Sequence, residues 1–493
     1  MSVVPLSRAN LRKLPAGVIG PAYDPSSVVP GIVHIELGGF HRAHMARYTH
    51  ALMNVEPAAS EWGIVGVGLL PADQRMADAL QPQDGLYTLV ERQDQDESAT
   101  VIGSISRVLF AGASSAETLA TIEDPAIRIV SLTVTENGYC LDSATKQLDL
   151  THPAVVHDLA DPQRPRSAIG ILVESYRRRR DRGLPVFTAL SCDNIQHNGA
   201  VLSRAVLALA EQQDPQLAEW IAENAAFPST MVDRITPVTT AADIDDLALN
   251  YGVADRWPVV SERFTQWVIE DTFVAGRPAW ERVGAQFVAD VQPYEMMKLR
   301  LLIASHLAIA GLGRLAGYTH IDQAMRDTDL RSYMRVLMDL ETGPTLPPLP
   351  GVDINAYKTE LVARFSNSRI KDTVDRVNAD APINLLLDPI RDRVATGASI
   401  DLLALALAAW LRRVRGEDEA GEPLAVSHPL ANELSRKAWE GGADPRHLLG
   451  IRSLFGDLGE NPVVLRPVTR WLESLYATGA RVTLATAREE LNF

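Results

Sequence analysis

The chain has 493 residues and a formal net charge of −15, from 47 Lys and Arg against 62 Asp and Glu. Hydrophobic residues make up 46% and charged residues 22%, which excludes a disordered chain and leaves a large core for about two domains. The acidic balance argues against nucleic acid or an anionic membrane as the main partner, and Gly 32 with Pro 30 excludes a collagen-like or low-complexity reading.

The opening segment, MSVVPLSRANLRKLPAG, has no apolar stretch of the secretory kind, so no leader is expected there. The cysteines are two, Cys140 and Cys192. Two cannot build a zinc-finger or CxxC framework, and both read as small buried residues in a reduced, cytoplasmic setting. The most apolar run, Leu402–Leu411 between Asp401 and Arg412, is shorter than the ~20 residues of a membrane span and predicts a buried helix.

The first half alternates short β-rich runs with helical ones. Gly31–Leu37 (GIVHIEL), Gly63–Leu69 (GIVGVGL), Ile127–Val134 (IRIVSLTV) and Val186–Ser191 (VFTALS) predict strands. A helix follows the first over His41–Met53, and Ala168–Arg182 predicts a crossover helix stopped by Gly183-Leu184-Pro185. This pattern predicts a parallel sheet with crossover helices. Past Pro293 the periodicity becomes long and helical, as in Glu295–Leu312, Asp401–Arg415, Ala431–Trp439 and Val468–Tyr476, with Pro344–Gly351 as a rigid connector. The expected organisation is an α/β dinucleotide-binding domain over 1–288 and a mostly α-helical substrate domain over 289–493.

The turn after the first strand reads Glu36-Leu37-Gly38-Gly39-Phe40-His41-Arg42. A strand, a glycine-rich turn and a helix form the setting in which a pyrophosphate meets a helix N-terminus. Gly38 and Gly39 are well placed, but Glu36 stands where the first glycine of GxGxxG belongs, and the third glycine is missing. Taken alone, this segment is equally an ordinary strand-to-helix turn. Asp73, after the second strand, stands where an acidic residue holds the adenosine ribose, though further along than the usual ~20 residues. By itself it reads as a helix-cap carboxylate. The basic run Arg177–Arg180 reads as a solvated helix end with cations favoured by the dipole.

Four blocks together carry a resemblance: Gly38–His44 (GGFHRAH), Thr133–Tyr139 (TVTENGY), Ser191–Gly199 (SCDNIQHNG) and Tyr294–His306 (YEMMKLRLLIASH). Met231–Pro237 (MVDRITP) and Gln266–Asp271 (QWVIED) support them in order and spacing along nearly the whole chain. On these residues the chain resembles the polyol-specific long-chain dehydrogenase/reductase family. The resemblance implies a Rossmann-type N-terminal domain, an all-α C-terminal domain, and NAD as cofactor. It implies metal-free oxidation of a polyol to a ketose, such as D-mannitol to D-fructose, by a monomer or weak oligomer. No HExxH is present, and the histidines of HRAH have no Cys or carboxylate at ligand spacing.

The chemistry needs a base for the hydroxyl proton while hydride leaves carbon. The resemblance makes that base Lys298. Lysine's ordinary pKa of about 10.4 is too high for the task, so burial and the positive nicotinamide ring are expected to lower it. A lone lysine in an apolar helix otherwise snorkels to solvent. On a regular helix Ser305 shares the Lys298 face and His306 lies a little around the cylinder. The resemblance makes His306 the residue that orients substrate or lysine, and Glu295 a gate on a proton path. It makes Asn194, at a strand end, the donor to the developing oxyanion. Asp233 and Arg376 match positions that bind substrate hydroxyls. The bland readings are a satisfied helix histidine, a solvated first-turn carboxylate, a turn asparagine and a surface helix charge. The expected cofactor contacts are Glu36, Gly38, Gly39, Phe40, Arg42 and Asp73.

The chain departs from the family at four places. Glu36 replaces the first fingerprint glycine, where a carboxylate would repel pyrophosphate and a Cβ would crowd the turn; Arg42 would compensate in part, and weakened NAD affinity is expected. Ile303 replaces an asparagine that completes the oxyanion hole, a loss typically costing ~10²–10³ in turnover. Arg263 stands where proline is common. After Arg376 the family often places a substrate lysine, whose position here falls near Asn384. Asp73 favours NAD over NADP, and Ala72 occupies a neighbouring position that is acidic in some relatives. Two alternatives stand beside a polyol dehydrogenase. One is a fructuronate- or tagaturonate-type sugar-acid oxidoreductase, or an arabinitol or sorbitol enzyme, of the same family. The other is a ligand-binding member with little turnover, motivated by Glu36 and Ile303.

Overall fold

The computed structural model describes residues 3–112, 114–142, 145–380 and 382–493. It divides into two compact units, Met1–Val291 and Gln292–Phe493, three residues beyond the division expected from composition.

The first unit is built on a five-stranded parallel sheet: β1 (Pro30–Ile35), β2 (Gly63–Gly68), β3 (Ile105–Phe110), β4 (Ile129–Leu132) and β5 (Thr188–Ser191). Its order is β3-β2-β1-β4-β5, the doubly wound arrangement in which ligands sit beyond the strands' C-terminal ends where the order reverses, here beside β1. Four of these strands coincide with the predicted runs, and β3 does not. Arg107 and Ser106 interrupt its apolar run, yet Val108 and Leu109 are buried. All the side chains of Ile32–Ile35 are buried, as expected of a strand covered on both faces.

The predicted helix after β1 is two helices, α1 (Gly39–Ala43) and α2 (Met45–Val55), broken at His44 with φ −116° and ψ −94°. The crossover helix α3 spans Ala168–Asp181, capped by Ser167, whose hydroxyl accepts the Gly170 N–H. Its basic run is only partly solvated. Arg177 and Arg178 pair with Glu174, and Arg180 with Asp214. Arg179 is buried and donates to the carbonyls of Ile122, Asp124, Ile127 and Pro185, so it clamps loops at the sheet's N-terminal edge. Helix α4 (Asn198–Gln213) follows β5.

Besides a two-stranded pairing of Val4–Pro5 with Val253–Ala254, two further sheets complete this unit. One joins β6 (Thr230–Asp233), β7 (Gln266–Glu270) and β8 (Gln286–Val288); the other is built around the hairpin Tyr87–Gln93 and Asp96–Ile102. Arg263, in the loop before β7, pairs with Asp96 of the hairpin at 3.3 Å. Cys140 and Cys192 are both buried free thiols.

The second unit is helical. Helix α5 (Gln292–Met297) runs through a π-helical segment, Lys298–Ile303, into α6 (Ala304–Leu315). Gln292–Leu315 is long and apolar enough to cross a bilayer by length and composition, and 78% of that window is buried inside the protein. Helix α6 packs on α7 (Asp401–Arg413), which packs on α8 (Pro462–Leu491). The α6–α7 approach is close because both present small residues: a Cβ on Gly311 would lie 3.7 Å from the Ala409 methyl.

Candidate functional site

In the first unit, the expected cofactor residues gather beyond β1 and β2. Glu36 has φ +73°, the left-handed region that glycine enters freely and other residues enter at about 1–2 kcal/mol. Its backbone is pinned on both sides. The Glu36 N–H donates to Val67 O, and its carbonyl accepts from Gly38 N–H at 2.8 Å and Thr133 Oγ1 at 3.0 Å. The backbone thus keeps the geometry of a glycine turn although the residue is glutamate.

The Glu36 side chain turns toward the end of β2. Its carboxyl hydrogen-bonds Asp73 and shares the Leu69 and Leu70 amides that follow β2. Partial burial, together with the neighbouring Asp73 carboxylate, pushes it up to about 8, so at neutral pH it is protonated and adds no charge to the turn. Asp73 Oδ2 accepts from Leu69 N–H at 3.2 Å and Leu70 N–H at 2.7 Å. A Cβ on Gly68 would lie 2.7 Å from Asp73 Cβ, so that glycine lets the acid seat against the strand end.

Gly38 is exposed and a Cβ there would meet nothing within 4 Å, while one on Gly39 would meet only Thr236 Cγ2 at 3.8 Å. The turn is therefore open to a bulky phosphate group, and the residues present fit a dinucleotide. Phe40 is half-buried and stacks on His44. Arg42 requires a correction: it is fully buried, donates to Trp257 O and lies over the Tyr87 ring. It supports the core beneath the turn and is not placed to offset charge at a pyrophosphate. The HRAH histidines are likewise core residues. His41 stacks on His34 at 3.4 Å, and His44 hydrogen-bonds Gln266 O. Burial holds His34 down at about 3 and His41 well below the usual histidine range. Both are neutral. Among the described residues no three His, Cys, Asp or Glu side chains gather as a metal site would require.

Asn194 is exposed just beyond β5, after the buried Cys192 and Asp193. What places it was not legible from its own neighbourhood. Asp193 accepts the N–H groups of Val134 and Thr135 at 3.2 and 2.7 Å and the Tyr139 hydroxyl at 2.7 Å, and that hydroxyl also meets Ser191 Oγ. Thr135 sits at φ +62°, unusual for a β-branched residue, and Asp193 holds it there. Asn198 ties the Asp193 carbonyl to β6 through Thr230. The TVTENGY and SCDNIQHNG blocks are thus one hydrogen-bonded unit. Asp233 ends β6 and is buried.

In the second unit, Glu295, Lys298 and His306 are all buried, so neither a solvated carboxylate nor a snorkelling lysine describes them. The π-helical segment changes their register. Each π turn carries one extra residue, which turns the following face back by about 100° relative to a regular helix. That brings His306 toward the Lys298 face and carries Ser305 away, reversing the expected relation. Lys298 opens this segment and Ile303, half-buried, closes it. A π segment inside a helix is a common accompaniment of functional sites.

His306 stacks on Phe365, with ring centroids 4.3 Å apart, and its Nε2 lies 3.5 Å from Asp372 Oδ2. Asp372 also binds Arg376, whose Nε donates to Oδ1 at 2.6 Å. Asp372 was not foreseen. It joins two expected site residues, and its distance along the chain from His306 hides the relation in the sequence. Arg376 keeps about half of its side chain exposed while so held. Asn384 is exposed at the start of a helix, and Ala381 before it lies outside the described residues.

Comparison with known proteins places this geometry. Residues 30–282 match the family model described as the mannitol dehydrogenase Rossmann domain, and residues 290–476 match the mannitol dehydrogenase C-terminal domain. A mannitol 2-dehydrogenase of Phaeosphaeria nodorum is 42% identical over 97% of this chain and 85% of its own length. A D-mannonate oxidoreductase of Escherichia coli is 43% identical over 95% of this chain and 98% of its own. Among solved structures, the Pseudomonas fluorescens mannitol 2-dehydrogenase, in ternary complex with NAD and D-mannitol, superposes with a TM-score of 0.86. It is 41% identical over 99% of this chain and 100% of that one.

Proposed function

Because the chain belongs to the mannitol dehydrogenase family, we propose that it oxidises a polyol to a ketose with NAD, with D-mannitol to D-fructose or a similar C5 or C6 pair as the substrates. The observation that carries this reading is the family match across both units, joined to retention of Lys298, Asn194 and His306 in the matching motifs. A bound NAD would supply the hydride acceptor. Lys298, as a neutral amine, takes the hydroxyl proton. His306, set by Phe365 and Asp372, orients the base or the substrate oxygen. The Asn194 amide donates to the oxygen as it becomes a carbonyl, and Asp233 and Arg376 hold further hydroxyls. Glu295, buried one turn before Lys298, relays the proton outward. The reaction needs no metal in this reading, and we place it in the cytoplasm.

A second reading is favoured by the D-mannonate oxidoreductase relative: a sugar acid as substrate. Such a carboxylate calls for a cation, and Arg376 is already paired with Asp372. The polyol therefore leads. NADH formation by purified protein at mildly alkaline pH, over D-mannitol, D-sorbitol, D-arabinitol, ribitol, mannonate and altronate, decides between them. Turnover confined to mannonate or altronate would replace the first reading by the second. No turnover, from protein that binds NADH, would point to the oxyanion donor lost at Ile303; no turnover and no NADH binding would favour a ligand-binding member.

A further inference from the structure

We infer that Glu36 is a cofactor-specificity residue, the second carboxyl of the adenosine-ribose site, which works with Asp73 to exclude a 2′-phosphorylated dinucleotide. This rests on the reading that the chain uses a nicotinamide dinucleotide.

The argument begins with the sheet. β1 and β2 are neighbours in parallel register, with Ile35 opposite Val67, so residues just past their ends share one edge. Asp73 reaches that edge from beyond β2. Glu36 reaches it from the end of β1, where its carboxyl meets Asp73 beside the Leu69 and Leu70 amides that donate to Asp73 Oδ2. A glycine at 36 would leave Asp73 as the single acid there, because Ala72 brings none. The left-handed backbone at Glu36 gives its side chain this path along the strand ends.

Two touching carboxyls resist double ionisation and hold one proton between them. Such a pair offers both a donor and an acceptor, which suits the two hydroxyls of a ribose. A 2′-phosphate brings about −1.5 to −2 charges and only acceptors at neutral pH. It would meet Asp73 as a like charge, and it has no hydrogen to give to the acceptor side of the pair. Among the described residues neither Glu36 nor Asp73 is paired with a Lys or Arg, and Arg75 lies over the Trp257 ring.

The test is fluorescence titration of wild type, Glu36→Gly and Glu36→Gln with NADH and NADPH at pH 7. Glycine suits the backbone at φ +73°, so Glu36→Gly is expected to fold. Its ratio of NADPH to NADH dissociation constants should fall by ~10-fold or more, a shift of about 1.4 kcal/mol. Glu36→Gln, which keeps the bulk and loses the acid, should move the ratio the same way by less. A merely structural role would change both constants together. A ratio unchanged in Glu36→Gly, in protein whose wild type binds NADH, overturns the inference alone. Wild type that binds neither cofactor overturns it together with the reading it rests on.

Discussion

The turn at Glu36 and the helix at Ile303 both break a family pattern, and they break it differently. At Glu36 the position is defined by its backbone. Glutamate adopts the left-handed conformation, its carbonyl and N–H find the partners a glycine turn needs, and its side chain settles on Asp73. At Ile303 the position is defined by the group it should donate. An isoleucine half-buried at the end of the π-helical segment offers no hydrogen bond, and no backbone adjustment can supply one. A geometric requirement can be met by a foreign side chain that finds another partner. A chemical requirement can be met only by another donor.

The largest effect should come from the position that both readings leave intact. Lys298→Ala should lower kcat by ~10²–10⁴-fold, the usual worth of a positioned base, while NADH affinity measured by fluorescence stays close to wild type. Equal loss of NADH binding would mean that the lysine supports structure and not proton transfer. Next, Ile303→Asn should raise kcat by up to ~10²-fold if the oxyanion lacks its second donor. Unchanged turnover would show that some other group already donates, and the contrast between the two positions would vanish.

Asp372→Asn sits lower on the scale. It removes one charge-assisted contact of about 1.5–3 kcal/mol to a partly exposed arginine, so a ~10-fold loss is expected. The split matters more than the size. A fall in kcat with a displaced pH profile would show Asp372 acting through His306, whereas a rise in KM alone would show it acting through Arg376.

The sequence carried the architecture of the first unit because its strands are short, β-branched and separated by helical runs. It failed at β3, where Ser106 and Arg107 break the apolar pattern. Lys298, Asn194 and His306 were legible as parts of motifs. Their settings were not. KLRLLI contains no local mark of a π turn, so the regular-helix spacing from Lys298 to Ser305 and His306 does not carry over. Near Glu36 in the sequence, Arg42 suggests a charge partner for the turn, whereas its guanidinium lies with Trp257 O and the Tyr87 ring. The Glu36 carboxyl could be placed only once β1 and β2 were known to be adjacent, since the residues that receive it, Leu69, Leu70 and Asp73, are remote in the chain.

The smallest effect tests the Glu36 side of the comparison through stability. The carboxyl is held at about 8 in the folded protein, against an ordinary 4.5. Between those values the folded state binds a proton that the unfolded state has released, so stability falls as pH rises. The loss begins near pH 4.5 and is complete once pH has passed the folded value near 8. Glu36→Gln keeps the neutral shape and cannot ionise. Its melting temperature should match wild type near pH 4.5 and exceed it at pH 8.5–9, with a gap of a few degrees that opens progressively between. A gap independent of pH would mean that Glu36 is already ionised in the folded protein. The turn would then carry a carboxylate after all, and the expected weakening of NAD affinity would stand.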